Sequence, residues 1–431
     1  MSSFAIDGQR AYGLLKRLGP ARQAGSQRER EAVQVLMAEI RSLGLQPVEE
    51  TFPVQTFAGA YAGLEVLAPF QAILTCEAIG RSGSTPSDGI TAPLVYAESG
   101  GPAYFANARG TIPLIYGRLN VPKYQALARA GAVGFLCIGM PHHRLPTLNN
   151  VQVNWTAAWG KVPGAFITFE DGLRLVREGA QQVRLTVRQR EFEADSRNLI
   201  VEIPGMSEPE SVILVGAHID SHRDMDGAHD NGAGSVVAME LCRYFAAHPA
   251  RRTLRFAWFG SEETGINGSG AYVERHAAEL GKVIFMLNLD LGGGIIGQDA
   301  VDIMGPPELR TFFDLLDNER GLGLEIQEKV YGGDNIPLLE AGVPAVTIYR
   351  NGGTCVYLHS ADDRFDLVDG RHLALQAELA AEFLDRSANA YRFPFAREVP
   401  EGIRKGLRRL REEYFGADPA AGLPDPRLAA R

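Results

Sequence analysis

Four short apolar runs, each leading into residues able to ligate a metal, set the pattern of the second half of this chain. Val212 to Ala217 runs into His218-Ile219-Asp220-Ser221, and Leu254 to Phe259 into Gly260-Ser261-Glu262-Glu263. Val283 to Leu289 ends at Asp290, and Pro344 to Tyr349 precedes Leu358-His359-Ser360-Ala361-Asp362-Asp363. Apolar stretches this short and this poor in polar alternation predict strands buried on both faces, as in parallel sheets. Between the first two, Asp230-Asn231-Gly232-Ala233-Gly234-Ser235 opens a helix through Val236, Val237, Met239, Leu241 and Cys242. Open α/β sheets place their sites beyond the carboxyl ends of the strands, so these separated residues are expected to converge.

Elsewhere the periodicity changes. Ser26 followed by Glu29 has the spacing of a capping box, and Val33, Leu36, Met37, Ile40 and Leu43 recur at helical spacing until Gly44. Val48 to Phe57 reads as an edge strand. From about Tyr61 to Val187 the texture turns to short strands, Gly/Pro/Ser turns and two helices, at Lys123 to Ala130 and Asp171 to Glu178. Residues 1–60 and 188–395 are therefore expected to form one α/β domain, with 61–187 a small β-rich insertion and 396–431 a helical tail. In that tail Ile403, Leu407, Leu410 and Tyr414 make one apolar stripe, open both to self-docking and to an oligomer contact.

The residue types point to metal chemistry. Neutral imidazole is a good zinc ligand, and Asp220, two residues beyond His218, is placed to accept the other ring N–H. Oxygen and nitrogen donors without thiolate suit zinc, and Mn2+ or Co2+ fits the same set. A single Asp-Asn or Glu-Glu is usually a cap or a solvated turn; an ordered series, each member at a strand end or helix start, is not.

The same series, H-x-D, D-N with small residues, E-E, a strand-end D and a late H-[ST]-x-x-D, resembles the family-28 metallopeptidases. That resemblance implies a mixed, mostly parallel α/β sheet flanked by helices, and two Zn2+ per chain held by His218, Asp230, Glu263, Asp290 and His359. It further implies that Asp230 bridges both ions across a cis peptide to Asn231, that Glu262 is the general base, that Asp220 orients His218, and that Asp363 lies just outside the ligands. The family commonly has a tyrosine before the late histidine, positioned for the tetrahedral intermediate. Here Leu358 stands there, leaving Tyr349 and Tyr357 as candidates and Arg350 as a further substrate contact. The inserted stretch, through Val121-Pro122-Lys123-Tyr124 to Leu136 and Val162-Pro163-Gly164-Ala165-Phe166-Ile167, is similar to the protease-associated domain.

What the resemblance implies functionally is a zinc exopeptidase, first an aminopeptidase acting on short peptides. A carboxypeptidase, a dipeptidase or an N-acyl amino acid amidohydrolase on the same metal core is the alternative. A receptor-like relative without catalysis is a third reading, but it would be expected to have lost ligands, and all five are here.

Composition narrows the partners. Across 431 residues, 45% are hydrophobic and 22% charged, ordinary for a globular chain able to bury one large core or two smaller ones. A net charge of −9 argues against nucleic acid and anionic membranes as partners. No apolar run of about 18 residues occurs, so no span is expected. The N-terminal residues lack the apolar region of a signal peptide, and Cys76, Cys137, Cys242 and Cys355 are widely spaced with no C-x-x-C. A cytoplasmic location is the expectation, or a secreted one for a chain trimmed of its leader.

Overall fold

The structure, a computed structural model, describes residue 4 and residues 6–416. Its 14-stranded sheet runs through both halves of the molecule. The part that carries the candidate ligands has Glu208–His218 at its centre, parallel to Arg252–Phe259 on one side and Val283–Leu289 on the other. Ala345–Asn351 lies parallel beyond Val283–Leu289, while Gln298–Met304 and Gln182–Ile203 run antiparallel at either side. The sheet is mixed, mostly parallel at its core, and flanked by helices.

Alternate side chains of these strands enter different cores, which is why the runs read as continuously apolar. Ile213, Val215, Leu254, Phe256, Trp258, Phe285 and Leu287 pack with the helices Gly8–Leu18, Gln27–Ser42, Gly234–Ala247 and Gly370–Ala388. Val212, Leu214, Ala257, Phe259 and Met286 face the opposite layer, with Asn267–Arg275, Asn335–Glu340 and Glu401–Leu410. Ile403 and Leu407 are buried in that second core, so the apolar stripe of the tail docks on its own chain. Residues 417–431 of the expected tail lie outside the described residues.

Three local expectations are corrected. The Ser26 side chain accepts the Glu29 N–H, but Glu29 does not return to Ser26; its carboxylate takes the Gly25 N–H at 2.8 Å and the Ser196 hydroxyl. The edge strand does not stop at Phe57 but runs from Val48 to Ala68, antiparallel to Gln182–Ile203 over its whole length. A register shift falls between Ala58 and Tyr61. These two strands pass without interruption from the α/β part into the stretch between them.

That stretch carries parallel strands Ile90–Tyr96, Ile112–Tyr116, Phe135–Ile138 and Gly164–Ile167. It has three helices rather than two, Val121–Ala130, Val153–Trp159 and Phe169–Arg177, and its own buried clusters on both sides of the sheet. Among the described residues, no helix is long and apolar enough to cross a membrane.

Candidate metal centre

The ends of the parallel strands deliver the polar residues to one place. His218 is the last residue of its strand, Asp290 directly follows Val283–Leu289, and Glu262 and Glu263 follow Arg252–Phe259 after a left-handed Ser261 at φ 62°. Asp230 arrives from the turn before Gly234–Ala247, and its peptide to Asn231 is cis. Asn231 ties that turn down: its amide nitrogen donates to Leu289 O and its amide oxygen accepts the Gly234 N–H, both at 2.9 Å. Arg22, fully buried, donates to the carbonyls of Ile219, Asp226 and Gly227 and so fixes the loop between His218 and Asp230.

Two groups of donor atoms result: His218, Asp230 and Asp290, and His222, Glu263 and His359. His218 Nε2 lies 3.2 Å from Asp230 Oδ1 and 3.3 Å from Asp290 Oδ1. His359 Nε2 lies 3.2 Å from Asp230 Oδ2 and 3.2 Å from Glu263 Oε2. The two oxygens of Asp230 therefore face different groups. Among the described residues, His218 Nε2, His222 Nε2, Glu263 Oε1 and Asp290 Oδ1 are buried with no hydrogen-bond partner. Buried polar atoms are normally satisfied, so converging donors left unpaired fit a cation rather than one another.

Asp220 acts differently from the expectation. His218 Nδ1 meets the backbone carbonyl of Asp220 at 3.1 Å, whereas the nearest Asp220 carboxylate oxygen is 3.7 Å away. That carboxylate instead accepts the N–H of Glu262 at 2.9 Å and of Glu263 at 3.3 Å, holding the acidic pair in place. Asp363 does the same for Asp230, accepting the N–H of His229 at 2.8 Å and of Asp230 at 3.1 Å. Burial pushes the Asp363 carboxyl up to about 6.

The electrostatics separate the two adjacent glutamates. Burial drives Glu262 well above the usual carboxylate range, and Glu263, Asp334 and Asp290 add to it against the pull of His218. Burial also acts upward on Glu263, but the imidazoles of His222 and His359 outweigh it and hold that carboxyl well below its usual range. Asp334, whose Oδ1 accepts the Ser269 hydroxyl at 2.6 Å, is pushed by burial up to about 7. A base and a ligand are expected to differ in this direction.

The centre opens into a cleft of about 330 Å³ lined by His218, His222, Asp230, Glu262, Glu263, Asp290, Tyr331 and His359. Its remaining walls include Ile79, Trp155 and Phe166 from within residues 61–187, and Leu410, Tyr414 and Phe415 near the end of the described residues. The tail reaches across: the Arg118 guanidinium sits 4.4 Å from the Tyr414 ring centroid, and the Asn154 amide donates to Phe415 O.

Neither tyrosine expected at the site lines this cleft. The Tyr349 hydroxyl donates to Asp302 at 3.2 Å, and that of Tyr357 accepts from Arg144 at 3.3 Å. Arg350 is engaged by Gly294 O and Asp299 at 2.7 and 3.0 Å. The sequence reading missed Tyr331, in a loop with no recognisable motif, and His222, whose four-residue spacing from His218 is its only signal.

The family model for peptidase family M28 matches residues 198–384. Over that stretch, which contains Asp230, Glu262, Glu263, Asp290 and His359, the chain is similar to this family. Aminopeptidase YwaD of Bacillus subtilis (strain 168) is 29% identical over 427 residues, spanning 94% of this chain and 89% of that protein. The crystal structure of a peptidase M28 precursor from Shewanella amazonensis SB2B superposes with a TM-score of 0.78 at 25% identity, covering 91% of this chain and 97% of that one. BSAP, a zinc aminopeptidase from Bacillus subtilis, has the same fold, with a TM-score of 0.73 at 21% identity over 98% of this chain and 99% of that one.

Proposed function

We propose that this protein is an M28 peptidase, a two-metal aminopeptidase that removes N-terminal residues from short peptides. The observation that carries the reading is Asp230, whose two carboxylate oxygens each face a separate group of donors at 3.2 Å. His218, Asp230 and Asp290 would hold one ion, and Asp230, Glu263 and His359 the other. Zinc is the metal of the B. subtilis neighbour and suits a donor set of imidazole and carboxylate. Two ions so placed supply a water of lowered pKa and a polarised scissile carbonyl.

The chain's own residues do the rest. Glu262 lines the cleft without belonging to either donor group, and its raised affinity for a proton suits it to take one from the attacking water and deliver it to the leaving amine. Asp220 keeps Glu262 and Glu263 in register through their backbone N–H groups. Tyr331, a cleft residue whose hydroxyl burial holds protonated, takes the donor role that Leu358 leaves vacant.

Residues 61–187 are read as a protease-associated-like insertion that, with the tail, walls the cleft and favours short substrates. The −9 net charge gives no attraction to nucleic acid, and the four cysteines are all free, which accords with a cytoplasmic location. The test is hydrolysis of dipeptides and tripeptides with free or acylated N-termini and free or amidated C-termini by the zinc-loaded protein. Cleavage only of free-amine substrates is expected. Preference for an acylated amine beside a free carboxylate would transfer the assignment to carboxypeptidase or amidohydrolase chemistry.

A further inference from the structure

His222 belongs to neither the expected ligand set nor the expected catalytic residues, yet it sits inside the centre. It is 4% exposed, and its Nε2, 3.0 Å from Glu263 Oε2, has no hydrogen-bond partner among the described residues. The same Glu263 oxygen is 3.2 Å from His359 Nε2, so two imidazole nitrogens converge on one carboxylate oxygen. Their rings meet edge-on, with centroids 4.5 Å apart and planes at 79°. Such an arrangement brings both nitrogens to one point without stacking the rings.

The spacings match a coordination sphere. Zinc–nitrogen bonds of about 2.0–2.1 Å at tetrahedral angles place neighbouring donor atoms about 3.3 Å apart. The separations around Glu263 Oε2, 3.0 and 3.2 Å, agree with those around His218 Nε2, 3.2 and 3.3 Å. A charge-assisted hydrogen bond from His222 to Glu263 is the competing explanation, but Nε2 is not aligned to make one despite the short distance.

We propose that His222 is a protein ligand of the ion held by Glu263 and His359, giving that half of the pair two imidazoles and the His218 half one. This rests on the two-metal reading and deepens it. The other ring nitrogen of a ligating histidine normally donates to an outer partner; here Nδ1 of His222 lies 3.3 Å from the Asn150 amide nitrogen, which also donates to Glu263 O at 3.4 Å. Ligation through Nε2 puts the ring proton on Nδ1, so it requires the Asn150 amide to turn its oxygen to that side and give up its bond to Glu263 O. Asn150 belongs to the inserted stretch, as does Leu148, whose N–H donates to His359 O at 2.7 Å. His359 itself has a left-handed backbone at φ 55°, which that bond helps to hold. One half of the metal pair is thus assembled across the catalytic and inserted parts, and the other within the catalytic part alone.

The experiment combines metal titration with X-ray absorption on the whole protein, wild type against His222→Ala, using Zn2+ and Co2+. The wild type should bind two ions, with three imidazoles shared between them. His222→Ala should keep the ion on His218 and Asp290, weaken the other by more than about 100-fold, beyond the about 10–100-fold expected of an outer residue, and show two imidazoles in total once forced to full loading. The retained first ion reports folding. Should the alanine variant not fold, His222→Asn, which keeps a polar contact to Glu263, is read in the same way. Two ions at wild-type affinity in the variant, or an imidazole count that does not change, overturns the inference while leaving the two-metal reading intact. A wild type that takes up only one ion overturns both.

Discussion

Asp220→Ala probes how the acidic pair is held. The side chain is fully buried, and its carboxylate accepts the backbone N–H of Glu262 at 2.9 Å and of Glu263 at 3.3 Å. A hydrogen bond to a charged group contributes about 1.5–3 kcal/mol, and the longer of the two belongs at the low end, so removing both costs about 3–5 kcal/mol. Some of this returns through Glu29, whose carboxyl is raised to about 8 by burial and then by the charge of Asp220. The expected net loss is therefore about 3 kcal/mol, a large share of the 5–15 kcal/mol typical of a folded domain. Urea unfolding in chelator reads it without the stabilisation that bound metal adds by mass action. Asp220→Asn, which retains one acceptor oxygen, should fall between alanine and wild type. In the metal-loaded protein, the alanine variant should also lose kcat, because Glu262 and Glu263 are no longer fixed. An alanine variant with the wild-type urea midpoint and metal content would show that Asp220 does not position the pair.

Two further outcomes follow from the neighbouring carboxylates. Glu262→Gln should retain its metals and substrate affinity while kcat falls at least about 10²-fold, whereas Glu263→Gln should lose metal; equal behaviour in a parallel metal assay and rate measurement would refute the division of roles. Asp302, outside the cleft lining and raised by burial to about 6, binds more protons folded than unfolded between about pH 4 and 6, so its contribution makes stability fall as pH rises through that window and leaves it flat above. Asp302→Asn should remove that slope from the difference between variant and wild-type unfolding curves, and an unchanged slope would contradict it.

The strands that end in the candidate ligands were legible because burial on both faces leaves no polar alternation in Val212 to Ala217 or Val283 to Leu289, and the ordered series of His, Asp and Glu marks their ends. What escaped depends on direction rather than residue type. Sequence spacing put the Asp220 carboxylate on His218, but the backbone carbonyl does that work and frees the side chain to reach Glu262 and Glu263. His222 looks like any polar loop histidine until the loop is folded back by Arg22. Asn150 and Leu148 carry no chemistry in the linear sequence; their contacts with His222 and His359 come only from tertiary placement. The tail stripe gave the amphipathic helix but not its address, which is the buried cluster that holds Leu339 and Val399.

Crystallography of the zinc-loaded protein with anomalous data at the zinc edge tests the central claim most directly. Two anomalous peaks about 3.5–4 Å apart are expected, one beside His218 and Asp290, the other beside Glu263 and His359, with one Asp230 oxygen on each. A single peak at full loading, or two with Asp230 touching only one, would contradict the two-metal account.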